Sequence, residues 1–344
     1  FSLSADTLGN RSTAIGHNTL AAQNFTSSTS VYNTAVGYGA GAAVTTGTLN
    51  TLIGGLAGDA LTIGNSNVAL GYNALTADTL GDRAVAIGLN ALASQNFTSS
   101  TDNYNVAVGY GAGLSVTTGA QNTFIGGLAG DANTTASNNT AVGYSSLGLN
   151  TTGTQNVALG RSSLAANTTA SNNTAVGYAS LGANTTGASN VAVGFTALDA
   201  NTTASNNTAV GYSSLGANTT GANNTASGFQ CLYLNNTGTG NAALGYNALA
   251  LNTSGNYNVA LGANALDANT TAFNNTAVGY NTLGLNTTGT SNVGLGSYAL
   301  TANSTASNNT AVGHNSLGSN STGGSNTAIG TLALDANTTA SNNT

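Results

Sequence analysis

The chain has 344 residues, a formal net charge of −6 at pH 7 and only 3% charged residues, where about 25% is usual for a soluble domain. Three arginines and nine aspartates are its only charges, so it lacks the basic surface that nucleic acid binding requires. No run of about 18 apolar residues is present, so hydropathy predicts no membrane-spanning helix in this segment. Apolar residues at 40% predict a buried core rather than a disordered chain.

A short motif recurs nineteen times and always ends in a glycine, called the core glycine below. Neighbouring core glycines keep a 17-residue spacing except at 16–37 and 88–109, where the gap is 21. Segments 23–29 and 95–101, both QNFTSST, are interpreted as loop insertions within those gaps. The core glycines are Gly16, Gly37, Gly54, Gly71, Gly88, Gly109, Gly126, Gly143, Gly160, Gly177, Gly194, Gly211, Gly228, Gly245, Gly262, Gly279, Gly296, Gly313 and Gly330. A fixed period indicates stacked structural units.

Each unit has preferred residues at set distances from its core glycine. Asn stands four residues before it in 17 of 19 units, and Leu stands four residues after it in 15. The exceptions to leucine are Gly41, Gly58, Gly113 and Gly130, all in the first part of the chain. Seven residues after the core glycine, Asn occurs in thirteen consecutive units from Asn133 to Asn337.

The residues just before each core glycine alternate as Thr or Val, Ala, then Val, Ile or Leu, which predicts a short strand with its apolar side chains facing inward. The Asn-Thr-Thr-Gly and Asn-Thr-Thr-Ala segments predict turns, since Asn and Gly tolerate left-handed backbone angles. The 47 glycines and the many threonines disfavour helix. We therefore predict an all-β fold, a parallel β-solenoid of about 19 coils, each formed by one 17-residue unit.

Stacked coils bring equivalent residues about 4.8 Å apart, so repeated Asn side chains can hydrogen-bond along the stack. This predicts a structural Asn ladder that needs no ligand: Asn133, Asn150, Asn167, Asn184, Asn201 and Asn218.

Tyrosine follows the core glycine in alternate units, which pairs the coils into 34-residue repeats. The residues are Tyr38, Tyr72, Tyr110, Tyr144, Tyr178, Tyr212, Tyr246 and Tyr280. Two interpretations are open: a packing ladder between coils or subunits, which we favour, or a surface stripe for receptor stacking, because tyrosine offers an aromatic face and a polar tip.

The regularity of the repeat predicts two blocks. Residues 1–132 form an N-terminal solenoid block of two copies with a 72-residue spacing, and residues 133–344 form a regular block of 34-residue repeats. We expect the sequence to be a fragment of a longer fibre.

Two large apolar side chains per coil are a small core for a 17-residue unit. Sharing that core with other copies would help, so we expect a homo-oligomer, with a trimer favoured.

No candidate catalytic, cofactor or metal residues emerge, and we predict neither an enzyme nor a cofactor. Asp59, Asp131, Asp199, Asp267 and Asp335 share one register but are four coils apart, too far to share a cation, and are interpreted as solvated turn residues. His17, His314 and the single Cys231 occupy ordinary repeat positions. The Gly-rich segments 37–41 and 54–58 lack the lysine and helix of a phosphate loop. Sequons such as Asn133, Asn138, Asn167 and Asn201 are potential N-glycosylation sites.

The unit Asn-(Thr/Val)-Ala-(Val/Ile)-Gly-x-x-x-Leu, as in residues 190–198 (NVAVGFTAL), resembles the head repeats of YadA-like trimeric autotransporter adhesins, and similar repeats occur in phage tail fibres. The resemblance covers essentially the whole chain and implies a left-handed parallel β-roll, a trimer, and display on a cell or virion surface. The familiar head repeat is shorter than the 17-residue unit of this chain, and the 34-residue alternation is not part of it.

Three functions fit the sequence. The first is a non-enzymatic extracellular fibre, the shaft or head of a surface adhesin, whose partners are its own copies and a host-surface protein or glycan. The second is the shaft of a phage or virus tail fibre. The third is an ice-binding solenoid, which requires a regular threonine array on an exposed face. Adjacent Thr-Thr pairs weaken the third, since strand alternation would turn one of each pair inward.

Overall fold

A computed structural model describes residues 2–344 of the chain, and this range contains no helix. Its short strands form a parallel β-solenoid of about 19 turns spaced about 17 residues apart, which confirms the predicted fold class. Accordingly, no helix in residues 2–344 is long and apolar enough to cross a membrane. The strands belong to two compact units, one ending at Asn172 and the other comprising Asn173–Thr344. The predicted block boundary at 132/133 marks a change in sequence regularity and falls within the first unit.

The first unit is built on one parallel ladder in which each coil contributes one strand. The strands of this unit are β1 Gly9–Asn10, β2 Thr13–Ile15, β3 Thr29–Ser30, β4 Thr34–Val36, β5 Thr51–Ile53, β6 Val68–Leu70, β7 Gly81–Asp82, β8 Val85–Ile87, β9 Thr101–Asp102, β10 Val106–Val108, β11 Thr123–Ile125, β12 Thr140–Val142 and β13 Val157–Leu159. Along the ladder they pair in the order β2-β4-β5-β6-β8-β10-β11-β12-β13. The two insertions add short pairs, β1 with β3 and β7 with β9.

The second unit repeats the same coil without insertions. Its strands pair consecutively, parallel and in register, from β14 to β23. They are β14 Thr174–Val176, β15 Val191–Val193, β16 Thr208–Val210, β17 Thr225–Ser227, β18 Ala242–Leu244, β19 Val259–Leu261, β20 Thr276–Val278, β21 Val293–Leu295, β22 Thr310–Val312 and β23 Thr327–Ile329.

Each three-residue strand turns its middle residue into the solenoid and its other two residues outward. In β19, Ala260 is 1% exposed, whereas Val259 and Leu261 are 41% and 42% exposed. The predicted alternation is therefore present, but the prediction that Val, Ile or Leu faces inward was wrong. A three-residue strand has one inward position, and the small alanine fills it because the inner volume is occupied by the leucine that follows the core glycine. The outward residues of β2, β4–β6, β8 and β10–β23 are called the outer strand face.

Left-handed backbone angles recur, but not where the turn chemistry predicted them. In the coil of Gly143, positive φ values occur at Ser145 (50°) and Leu147 (54°), and in the preceding turn at Asn138 (62°). The Asn-Thr-Thr-Gly segment does bend, at residues 151–152, and Asn150 bonds the Gly153 carbonyl, but neither Asn150 nor Gly153 has a positive φ. The complete burial of the leucine side chain offsets the cost of its strained conformation.

The core glycine is required by both conformation and space. Gly211 has φ of 131°, and a Cβ there would lie 2.7 Å from the carbonyl carbon of Gly228 in the next coil. No L-side chain suits that backbone angle, and the neighbouring coil leaves no room for one. The repeated glycine thus sets how closely the coils stack.

The four units without the core leucine fill the same volume from the strand. Leu52 takes the place of the usual inward alanine, and a Cβ on Gly41 or Gly58 would lie 2.7 or 2.8 Å from one of its methyl carbons. Phe124 stands in the same way between Gly113 and Gly130. Both large side chains are fully buried. In the coils of Gly54 and Gly126 the large residue thus lies in the strand and the small residue after the core glycine, and the same large side chain also fills the space beside Gly41 or Gly113 of the preceding coil.

Candidate functional site

The tyrosines predicted from the 34-residue alternation all lie at the surface, directly after the core glycines. Their side chains are between 44% and 62% exposed. The position after the core glycine is called the aromatic column, and one residue of it is a rung. Each rung lies two residues after the outward third residue of a strand, separated from it by the core glycine, so the column borders the outer strand face.

In the second unit the aromatic column is a continuous stack of five rings. Phe195 lies between Tyr178 and Tyr212 with ring centroids 5.1 and 5.4 Å apart, and Phe229 lies between Tyr212 and Tyr246 at 5.2 and 5.4 Å. The interplanar angles are 4° to 14°, an offset-stacked arrangement. Sequence reasoning missed both phenylalanines, although their position directly after Gly194 and Gly228 was a sufficient signal.

In the first unit the same column is interrupted. Tyr38 stacks on His17 at 5.7 Å and 7°, but Gly55 follows on the next rung and Gly127 stands between Tyr110 and Tyr144. In the second unit, Tyr298 contacts both Tyr280 and His314 edge to face. The two histidines therefore belong to the aromatic surface.

The outer strand face presents a band of half-exposed apolar side chains beside this column. Val210, Leu244, Val259 and Leu261 are each more than a third exposed in the second unit. Ala242 replaces the usual Thr or Val and leaves a shallow apolar depression lined by Leu244, Val259 and Leu261. The surface therefore carries, beside the aromatic column, an apolar strip that parallels the strand ladder.

The predicted Asn ladder lies in the interior. The side-chain Nδ2 donates to the Oδ1 of the equivalent Asn one coil earlier, at 2.8 Å from Asn201 to Asn184 and 3.0 Å from Asn218 to Asn201. The same Nδ2 also donates to the backbone carbonyl three residues ahead, as from Asn150 to Gly153 at 2.9 Å. In the first unit, Asn150 donates to Asn133 and Asn167 to Asn150. All six asparagines are fully buried.

A second interior ladder uses the Asn that precedes each strand. The backbone N–H of Asn224 donates to the Oδ1 of Asn207 at 2.9 Å, and the Nδ2 of Asn224 donates to the carbonyl of Gly238 at 2.8 Å. Buried amides satisfied in this way stabilise the stack and present no open groups to a ligand. Within residues 2–344, Asn247 Oδ1 is the one buried side-chain polar atom without a hydrogen-bond partner.

Several acids and one thiol have a pKa that burial raises. Residues 2–344 hold no group of three or more His, Cys, Asp or Glu side chains arranged for a metal ion. Burial raises the pKa of Asp131, Asp199 and Asp267, which are partly covered by their turns. Burial also raises the pKa of the Cys231 thiol to about 12, so the thiol stays protonated at neutral pH and is a poor nucleophile.

Asp78, in the N-terminal block, is an acidic residue with no exposed surface. It accepts hydrogen bonds from the Gln95 side chain at 2.7 Å and from the Gly81 N–H at 3.0 Å. Burial raises its pKa above the ordinary 3.8, and the hydrogen bonds offset this only in part.

A raised pKa in the folded state means that the folded chain binds the proton more tightly than the unfolded chain. The contribution of Asp78 to the free energy of unfolding is therefore greatest below pH 3.8 and is lost as the pH rises through the folded pKa. We expect Asp78→Asn to reduce the difference in melting temperature between pH 3 and pH 7, as measured by circular dichroism. An unchanged difference would contradict this assignment.

The sequons divide into two classes by burial. Asn133, Asn167 and Asn201 are fully buried in the interior ladder, whereas Asn138 is exposed. An enzyme acting on the folded chain would therefore reach Asn138 but not the other three.

No protein-family model and no curated protein matched the sequence. The resemblance to YadA-like head repeats remains a prediction based on the repeated motif.

Proposed function

We propose that this chain is a structural, non-enzymatic segment of an extracellular fibre that assembles with copies of itself, with a trimer favoured. Its place is the surface of a cell or a virion, as the shaft or head of an adhesin or as the shaft of a tail fibre. A host-surface protein or glycan is the partner proposed for the adhesin.

The observation that carries the proposal is the apolar outer strand face. Most coils bury their leucine and their inward alanine completely, and Leu52 and Phe124 fill the core where that leucine is missing, so a core shared between copies, as expected from the sequence, is not required. The Val, Ile and Leu side chains that face outward instead supply a strip that repeats once per coil. Extended exposed apolar patches are typical of protein–protein interfaces, and an identical strip on each copy suits a symmetric assembly.

The test compares two leucines of similar exposure on different sides of the same coil. Leu244 lies on the outer strand face and is 50% exposed, whereas Leu251 lies in the following turn and is 47% exposed. Leu244→Asp is expected to lower the mass measured by light scattering, because a charge would be buried in the interface, while Leu251→Asp retains the assembled mass. Equal masses for both variants and the unchanged chain would contradict the use of this face.

Ice binding is a second candidate because one threonine column is exposed in the regular coils. Thr135 is exposed, whereas the adjacent Thr134 is half-buried and donates its hydroxyl to the carbonyl of Thr151 at 3.0 Å. The Thr-Thr pair thus presents one hydroxyl per coil to solvent, about 4.8 Å from the next. Thermal hysteresis in a freezing assay would support this candidate, and its absence would remove it.

A further inference from the structure

The aromatic column shows which side chain fits between two of its tyrosines. Phe195 and Phe229 each occupy a rung between tyrosines, with their rings nearly parallel to both neighbours. A planar six-membered ring therefore fits between tyrosines two coils apart.

In the first unit, two equivalent rungs carry glycine. Gly55 lies between Tyr38 and Tyr72, and Gly127 lies between Tyr110 and Tyr144. Tyrosines two coils apart are separated by about 9.6 Å along the stack, twice the strand spacing. The equivalent interval between Tyr178 and Tyr212 holds the ring of Phe195, and at the two glycine rungs no side chain occupies it.

The backbone does not require glycine at either rung. Neither Gly55 nor Gly127 has a left-handed φ, unlike the core glycine before it, such as Gly54 at 134°. A Cβ on Gly127 would lie 3.5 Å from Tyr144 Cδ2, an ordinary van der Waals contact. A Cβ on Gly55 would lie 3.3 Å from Tyr72 Cδ2, which belongs to an exposed side chain that can shift. These glycines therefore open a space and relieve no backbone strain.

The walls of the space are suited to an aromatic ligand. One face of Tyr38 is covered by the parallel ring of His17, so the other face is directed at the Gly55 rung. A Tyr72 ring carbon lies at the edge of the same rung, and both tyrosines are more than half exposed, which leaves the entrance open. Tyrosine faces carry negative charge density and attract cations, and the chain has a net charge of −6.

We propose that the Gly55 and Gly127 rungs are binding sites for a small planar aromatic cation, which inserts between the flanking tyrosines and completes the stack as Phe195 and Phe229 do in the second unit. The two sites have the same local sequence, Gly-Gly-Leu-Ala-Gly, and lie at equivalent positions of the two copies in the N-terminal block. The site is a property of one chain and is independent of the proposed assembly.

The test fills and empties rungs in the full chain and measures binding of the planar cationic dye thioflavin T by equilibrium dialysis. Gly55→Phe combined with Gly127→Phe is expected to remove two bound dyes per chain, because the introduced rings occupy the sites. Phe195→Gly is expected to add one bound dye, because it creates an equivalent space between Tyr178 and Tyr212. Each exposed substitution is expected to leave the circular dichroism spectrum unchanged.

Two outcomes would overturn the proposal: equal stoichiometry in the unchanged chain and the filled variant, or no additional site in Phe195→Gly. Light scattering on the same samples separates this result from the proposed assembly. If the filled variant loses dye binding but keeps the mass of the unchanged chain, the ring site is supported independently of the assembly. If the filled variant keeps its dye binding, the ring site is contradicted, whatever the mass of the variant.

Discussion

Phe124→Ala is expected to destabilise the coils around it by about 3–5 kcal/mol. The Phe124 ring is fully buried and fills the volume that a core leucine occupies in most other coils. Because Gly113 in the preceding coil and Gly130 in the same coil border this ring without a side chain of their own, neither can fill the cavity. Amide hydrogen exchange in β10–β12, read by mass spectrometry, measures the loss locally, as suits a repeat in which each coil contacts its neighbours.

A matched rescue separates lost volume from damaged backbone. Adding Gly113→Leu and Gly130→Leu to Phe124→Ala is expected to restore at least half of the lost protection. The two glycines have φ of 60° and 57°, and Leu92 and Leu147 adopt φ of 50° and 54° at the same position. Gly130→Leu alone should be destabilising, because its Cβ would lie 2.6 Å from Phe124 Cδ1. Failure of the triple variant to recover would contradict the exchange of large and small residues.

Asn252→Leu is expected to cost about 2–6 kcal/mol, since it leaves Asn235 Oδ1 and one N–H of Asn269 Nδ2 buried without a partner, at about 1–3 kcal/mol each. Asn252 Nδ2 donates to Asn235 Oδ1 at 2.7 Å and to the Gly255 carbonyl at 3.0 Å. Asn252 Oδ1 accepts from Asn269 Nδ2 at 2.8 Å. Replacement therefore interrupts the interior ladder on both sides.

Ser254→Ala is the matched control, because Ser254 lies in the same turn with its side chain exposed. Its effect on the free energy of unfolding is expected to stay within about 0.5 kcal/mol. Hydrogen exchange in β18–β20 measures both variants. Equal protection in Asn252→Leu and Ser254→Ala would show that the buried amides do not stabilise the stack.

Much of the architecture is readable from the repeat. The 17-residue spacing predicts the coil, and the alternation before each core glycine predicts the strands, as found in β12 and β19. The column of Asn133 to Asn218 predicts stacked amides, because equivalent side chains in parallel, in-register coils must lie one strand spacing apart. These inferences depend only on period and register.

The direction of the strand faces was not predictable in the same way. Three residues show an alternation but do not reveal which of them face inward, and hydrophobicity alone favours Val or Leu as the inward residue. Leu147 shows why this failed: it reaches the interior through a left-handed backbone angle that leucine rarely adopts. With that leucine inside, the strand needs only the small Ala141 at its inward position.

The candidate surface was predictable in part for a related reason. The tyrosines are recognisable because one residue type follows the 34-residue alternation, whereas the rungs between them carry different residues, among them Gly55, Gly127, Phe195 and Phe229. The position after the core glycine identifies these residues as rungs, and the structure adds that the phenylalanine rings stack with the tyrosines on both sides.

The absolute mass of the unchanged chain, measured by light scattering across a range of concentrations, tests the central claim most directly. An assembly through the outer strand face predicts a multiple of the 33.3 kDa chain, and three copies give about 100 kDa. A constant 33.3 kDa at every concentration would contradict the proposed homo-oligomeric fibre.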